Sequence, residues 1–383
     1  MPTATQLQSL DGAYESIGTF LAESPEFADL AIEVHGHGSR QIGTLVRPLH
    51  VREIGFDVDA ILLLRRAALT IYAGGAGARR LINTLHAVLM RYAARFDLGI
   101  EKWERCVTLV YASGVRVDVA PVIEDPLVSI PSGATHGLIA DRSLERYAPT
   151  NPRGFERGFN AAAATRASLA NRITDARTLD AAMKADVVPL PPAEELSQRL
   201  LCIYVQLMKV HRNVSFGVPK AGQEDLTPSS IFITTLAEQA FAARAPIAHA
   251  DELDLLLDVV DMMLLCFRRE ELASGRERWL LPNPWAPGDD LASSMNTPAR
   301  QAAFLQWHSS FSTHIGEILE SVEQRRGNVA TEDAIEKAFG ERAARVLRDE
   351  AGLTNPVRKL RRAVVFTTAA GTTTSLAAGM NTN

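Results

Sequence analysis

Apolar residues recur at helical spacing over residues 7–23 and predict an amphipathic opening helix. A short β-prone run at 31–34 leads into the turn signal Gly36-His37-Gly38-Ser39. Residues 56–64 read as a buried strand, with apolar positions alternating around two aspartates before becoming continuous. Gly74-Gly75-Ala76-Gly77 breaks the chain, and helical spacing resumes over 79–96 through Leu81, Leu85, Val88, Leu89 and Tyr92. Two β segments, 106–111 and 115–122, flank Ala112-Ser113-Gly114, which predicts a hairpin.

From about residue 190 the pattern changes. Long apolar-periodic segments at 194–212, 228–243, 253–269 and 300–325 predict a mainly helical second half, with a junction marked by Pro189, Pro191 and Pro192. The proline- and glycine-rich run from Leu281 to Gly288 predicts a rigid loop between helices. The last stretch, 367–383, is rich in Thr, Ala and Gly and is expected to form a flexible tail. The expected organisation is a catalytic lobe over 1–190, a helical lobe over 191–330, a helical segment over 331–366 and the tail.

Composition narrows the class. At 383 residues with 46% hydrophobic and 22% charged side chains, the chain has enough apolar surface for a large core and no sign of global disorder. Forty basic against forty-five acidic residues give a net charge of -5, so an anionic ligand must meet a local positive patch, and broad nucleic-acid binding is not expected. Cys106, Cys202 and Cys266 lie far apart in apolar runs and read as buried thiols rather than a disulfide framework or a zinc knuckle. The first ten residues lack the order of a secretory signal, and Asp258 and Asp261 interrupt the most apolar stretch, so a cytoplasmic protein outside the membrane is expected.

The chemistry centres on Asp57-Val58-Asp59, the sole Asp-x-Asp of the chain. In a strand, residues two apart share a face, so both carboxylates leave on one side, spaced to share divalent cations. Asp118, between Val117 and Val119 in an apolar strand, is a third acid that would be costly to bury unpaired. Three acids on neighbouring strands can cage two magnesium ions, which activate an attacking hydroxyl and neutralise departing pyrophosphate. The alternative is that each aspartate ends a strand at the surface or pairs with a nearby arginine. Upstream, Gly38-Ser39 and Gly43-Thr44 bracket a short segment followed by Arg47-Pro48, where glycine allows close approach to a phosphate and serine offers hydroxyl and amide donors. His35 and His37 flank Gly36 and read as solvated turn residues, because hard magnesium prefers oxygen ligands.

The order Gly-Ser, Gly-Thr, Asp-x-Asp and then a lone strand aspartate resembles the polymerase-β-like nucleotidyltransferase superfamily. The run from Gly38 to Pro48 followed by Phe56-Asp57-Val58-Asp59 is similar to the bacterial CD-NTases, relatives of cyclic GMP-AMP synthase and oligoadenylate synthetase that act in CBASS anti-phage defence. The resemblance continues in Val115 to Pro121, Thr150-Asn151-Pro152-Arg153-Gly154-Phe155, Leu207-Met208-Lys209-Val210-His211-Arg212, Pro228-Ser229-Ser230-Ile231, Asn283-Pro284 and Phe304 to His308, covering roughly residues 35 to 325.

The resemblance implies an α+β, bilobed protein: a mixed-sheet nucleotidyltransferase core, and a helical lobe that closes the nucleotide cleft. It implies magnesium as cofactor, as two ions that manganese could replace, held by Asp57, Asp59 and Asp118, the last also helping to deprotonate the attacking hydroxyl. Gly38 and Ser39 would hold the donor triphosphate, with Lys209 and Ser229 or Ser230 reaching the phosphates. For Lys209 the alternative is a solvated end of an amphipathic helix. The implied reaction joins ribonucleoside triphosphates, ATP among them, into a cyclic di- or trinucleotide second messenger with release of pyrophosphate. Two other readings stand beside it: a nucleotidyltransferase modifying an RNA, protein or small-molecule acceptor, and a catalytically silent nucleotide-binding regulator. Implied partners are an E1-E2-type conjugating enzyme or a HORMA protein at the C-terminal region. With no zinc ribbon or basic spine in the sequence, nucleic-acid activation is not expected. The loop after Asn283-Pro284 reads Pro287-Gly288-Asp289-Asp290, a departure from the family's acidic residue followed by asparagine.

Overall fold

The structure, a computed structural model, describes residues 4–46, 57–130, 133–170, 200–217, 222–323 and 328–344. The expected junction prolines, the 367–383 tail and most of the 331–366 segment lie outside the described residues. The chain divides into two compact units. One holds Met1–Gly158 and Pro282–Asp289; the other holds Phe159–Leu281 and the described residues from Asp290 onward. The change of unit therefore falls at residue 158, earlier than the expected boundary at 190, and a later loop returns to the first unit.

The first unit is a seven-stranded mixed sheet with helices, an α+β arrangement. Helix α1 (Ala4–Glu23) precedes strands β1 (Ala31–His37) and β2 (Asp57–Leu64). After the short α2 (Ala68–Ile71), the long α3 (Gly77–Phe96) leads into β3 (Gly99–Lys102), β4 (Val107–Val110), β5 (Arg116–Glu124), β6 (Gly137–Asp141) and β7 (Arg146–Thr150). The strands lie in the order β1-β2-β5-β4-β3. β2 and β5 are parallel, whereas β1 against β2 and β3-β4-β5 are antiparallel. β4 occupies the first half of one edge of β5 and β6 the second half, with β7 outside β6.

The alternation read from the sequence sets the core. Val58, Ala60, Leu62 and Leu64 of β2 and Val117, Val119 and Ile123 of β5 point to one face, covered by Ile17 and Leu21 of α1 and by Leu81, Leu85, Val88 and Leu89 of α3. Burying each such side chain contributes roughly 1.5–3 kcal/mol. The expected elements appear with modest shifts: β1 runs on through Gly36 and His37, so the turn begins at Gly38, and the hairpin loop carries Gly114 at φ 80°. β3, β6 and β7 carried no clear signal, being short and partly polar.

Helix α4 (Pro152–Ala163) begins in the first unit under Asn151, whose Oδ1 accepts the Gly154 amide at 2.8 Å and whose Nδ2 donates to the Trp285 carbonyl at 2.9 Å. A Cβ on Gly158 would meet the Trp285 ring at 2.3 Å, so only glycine lets the ring lie against the helix. These contacts tie the 282–289 loop to the first unit. Within it the Asn283 side chain donates to Asp289 Oδ2 at 2.9 Å and accepts the Trp285 amide at 3.0 Å, so Asn283 organises this loop, with Asp289 as its partner.

The second unit is mainly helical, as the pattern predicted. After the short strand β8 (Ser168–Leu169) come α5 (Leu200–Phe216), α6 (Ser230–Arg244), β9 (Ala248–His249), α7 (Glu252–Met263), a hairpin of β10 (Arg268–Glu271) and β11 (Glu277–Leu280), α8 (Pro298–Glu323) and α9 (Asn328–Phe339). The helix expected to reach residue 269 stops at Met263, and its polar end, Arg268-Arg269-Glu270-Glu271, forms a hairpin strand instead. An aromatic core of Phe232, Phe267, Trp279 and Phe304, with ring centroids 4.7–6.3 Å apart, holds this unit. No helix among the described residues is long and apolar enough to cross a membrane.

Candidate active site

Strand pairing aligns one polar file across the sheet. Glu101 of β3 lies opposite Thr108 of β4, Thr108 opposite Asp118 of β5, Asp118 beside Asp59 of β2, and Asp59 opposite His37 of β1. These residues occupy the face opposite the aliphatic core, because each is one position out of phase with Val58, Leu109 and Val117. Asp57, two residues before Asp59, shares that face. The structure thus brings Asp57, Asp59 and Asp118 onto adjacent parallel strands at one end of the sheet.

Each acid is held differently. The Asp57 side chain is 71% exposed, and its Oδ1 lies 3.6 Å from Arg116 Nε, while Arg116 also pairs with Glu101. The surface-arginine alternative is therefore realised for Asp57. Asp59 presses against the turn: a Cβ on Gly38, which sits at φ 72°, would come within 2.0 Å of Asp59 Oδ2. Tyr14 Oη donates to the Asp59 carbonyl at 3.3 Å and carries the Arg40 guanidinium over its ring. Asp118 is partly buried, and burial pushes its pKa above the usual carboxylate range, with the Thr108 hydroxyl and Arg116 pulling it partly back.

Ser39 lies in a short 3-10 turn, Gly38–Arg40. Its carbonyl accepts the Thr44 amide at 2.8 Å, and Gly43 takes φ 68°, so the Gly-Ser and Gly-Thr pairs form one tight loop with a left-handed glycine at each end. His35 and His37 do not lie in this turn. They belong to β1, where burial lowers both pKa values, that of His37 to about 4, so His37 is neutral beside Asp59. β1 pairs with β2 as far as His37–Asp59, which places both histidines in the strand rather than in the turn that follows. The three thiols are only half-buried rather than fully buried. Burial pushes Cys106 up to about 12 and Cys266 to about 11, with Asp118 and Asp59 adding to the shift at Cys106.

The donor chemistry fits magnesium. The set is all carboxylate oxygen, it lies on one sheet face, and its one imidazole neighbour stays neutral. The side chains do not converge as they stand: among the described residues no group of three or more His, Cys, Asp or Glu is arranged to hold a metal ion, in keeping with Asp57 facing Arg116.

The remaining sequence candidates lie in the second unit. Lys209, in the middle of α5, is 4% exposed, which removes the reading of it as a solvated helix end. Ser229 is the N-cap of α6 without a capping side-chain bond, and Ser294 Oγ donates to its hydroxyl at 3.3 Å. Ser230 Oγ accepts Arg212 Nη1 at 2.8 Å, and the same nitrogen reaches the Pro228 carbonyl at 3.1 Å. Arg212 thereby ties α5 to the start of α6, with its pKa lowered by burial to about 10. Sequence reasoning missed Thr108, Arg116 and Glu101. The hairpin held a usable signal for the first: counting back from Tyr111 opposite Val115 puts Thr108 opposite Asp118.

Residues 1–162 match the family model described as the Second Messenger Oligonucleotide or Dinucleotide Synthetase domain. A c-di-GMP synthase from Roseivirga ehrenbergii is 26% identical over 291 residues, which are 75% of this chain and 68% of that protein. The CD-NTase CdnG of Bradyrhizobium diazoefficiens, solved in complex with GTP, aligns over 94% of this chain and 95% of its own at a TM-score of 0.59 and 16% identity. CdnC of E. coli MS115-1, solved as a CdnC:HORMA-deltaN complex, aligns over 89% of this chain and 93% of its own at a TM-score of 0.54 and 14% identity. With a mixed sheet that carries three aspartates on one face and a match to the synthetase domain over its first 162 residues, the chain is similar to the bacterial CD-NTases, a family of nucleotidyltransferases, and shares their fold.

Proposed function

We propose that this protein is a magnesium-dependent cyclic dinucleotide synthase that takes GTP as a substrate and signals in anti-phage defence. The observation that carries the reading is the in-register pair Asp59–Asp118, with Asp57 on the same face and the Gly38-Ser39 turn packed against Asp59. The c-di-GMP synthase relative and the GTP-bound neighbour support the choice of base.

Asp57, Asp59 and Asp118 would hold the metal. When bound, magnesium would make the attacking hydroxyl more acidic and offset charge on the departing pyrophosphate. Asp118 engages Thr108 through Oδ1, which leaves its other oxygen to accept the proton of the attacking hydroxyl, a task suited to a carboxylate whose pKa burial has raised. The amides and hydroxyl of the half-buried Gly38–Arg40 turn would orient the triphosphate, and we assign Lys209, Ser229 and Ser230 as further phosphate ligands. Arg116 pairs with both Glu101 and Asp57, and for Asp57 to hold the cation Arg116 would keep only Glu101. An accessory protein of the HORMA or E1-E2 type would engage residues 331–383; the CdnC neighbour's complex supports the first.

The test is to incubate the full chain with four labelled ribonucleoside triphosphates and magnesium or manganese, and to resolve phosphatase-resistant products. A cyclic dinucleotide containing guanine is the expected product. A trinucleotide would correct the ring size, and label transferred only to added RNA or protein would establish the acceptor-modifying alternative. Binding without turnover would establish the silent regulator.

A further inference from the structure

We propose that Thr108 is a positioning residue for this reaction: its hydroxyl fixes the orientation of the Asp118 carboxylate. The inference rests on the assignment of Asp118 to the active site.

Thr108 is 0% exposed, yet it lies in the polar file, directly across β4 and β5 from Asp118. Its Oγ1 donates to Asp118 Oδ1. A hydroxyl has a single proton, so this bond commits it to Asp118. Threonine is β-branched and stiff at χ1, which fixes the direction of the donor. Glu101, on the far side of Thr108 in the register, is engaged by Arg116 and leaves Thr108 to Asp118. A buried hydroxyl that served only packing could be replaced by an isosteric methyl at no functional cost, and this defines the experiment.

Two pairs of proteins differ in the hydroxyl with little change of shape: the parent against Thr108→Val, and Thr108→Ser against Thr108→Ala. Mn2+ binding to the full chain is titrated by electron paramagnetic resonance, and kcat and KM for the triphosphate are measured separately. Removing an outer-sphere partner of a metal-ligating carboxylate typically costs about 10–100-fold in metal affinity or activity, and that loss is expected in Thr108→Val and Thr108→Ala. KM for the triphosphate should change little, and Thr108→Ser should restore Mn2+ affinity and kcat. Equal losses in Thr108→Ser and Thr108→Ala, or parental Mn2+ binding and kcat in Thr108→Val, would overturn the proposal. Should Thr108→Val fail to fold, the Ser and Ala pair decides alone. A parent protein that neither binds Mn2+ nor consumes triphosphates would instead remove the active-site reading itself and the inference with it.

Discussion

The two faces of the central sheet are built from the same strands and do opposite work. On one, Val58, Ala60, Val117 and Val119 lie under α1 and α3 and are at most 1% exposed. On the other, their immediate neighbours in sequence, Asp57, Asp59, Arg116 and Asp118, make up the polar face. The period of two separates them, so the apolar face specifies the register and the register aligns the acids. A slip of one residue in β2 would bury two aspartates. Stability and chemistry are thus interleaved residue by residue yet energetically separable, and mutations on either face test this.

The largest effect is expected from Asp57→Asn combined with Asp59→Asn. Several kcal/mol of transition-state stabilisation should go, so product formation should fall by about a thousandfold or more. The melting temperature should hold or rise, since two neighbouring charges of one sign are removed from a partly exposed face. On the other face, Leu85→Ala should cost about 2–5 kcal/mol of stability, measured by denaturant unfolding, with kcat per folded molecule unchanged. If the aspartate variant unfolds, or the leucine variant stays folded but loses kcat, the faces are not separable.

Gly38 is where the faces meet, because it sets the turn and abuts Asp59. Gly38→Ala places a Cβ at φ 72° against Asp59 Oδ2, and a left-handed non-glycine residue costs about 1–2 kcal/mol before the clash is counted. It should lower both melting temperature and kcat, the second by more.

How much of this was legible follows from the same periodicity. The alternation in 56–64 and the hairpin at Ala112-Ser113-Gly114 announced β2, β4, β5 and the shared face of Asp57 and Asp59. The side-by-side placement of Asp59 and Asp118 was not legible from spacing, because α3 and two further strands separate them in the chain and only the parallel pairing joins them. An arginine partner for Asp57 stood among the alternatives, but that it is Arg116 was not legible, since an arginine at the start of a strand carries no sign of its partner. In the second unit the helices were legible from their apolar periodicity, but the burial of Lys209 was not. A lysine within an amphipathic pattern looks like the wet side until the neighbouring helices are in place. Because Lys209 is buried, Lys209→Met is a better probe than Lys209→Ala: it keeps the stem and removes the charge. It should weaken triphosphate binding about tenfold, at the low end of what a charge-assisted contact contributes.

The smallest effect concerns the cost of burying Asp118 on the working face. Its pKa is raised in the folded protein, so below the ordinary carboxylate pKa folded and unfolded chains are equally protonated, and above it the folded chain keeps the proton longer. Stability must therefore fall as pH rises through that window, by an amount fully present once the folded carboxyl has ionised. Asp118→Asn does not titrate, and its amide oxygen can still accept the Thr108 hydroxyl. In chelator-treated protein the variant should gain on the parent in melting temperature as pH is raised from 3 to 7.5, and the gain should be absent at the acid end. A parent that instead gains on the variant with rising pH would mean that Thr108 and Arg116 more than offset the desolvation of Asp118. The polar face would then contribute to stability as well as chemistry, and the division between the two faces would be lost at this residue.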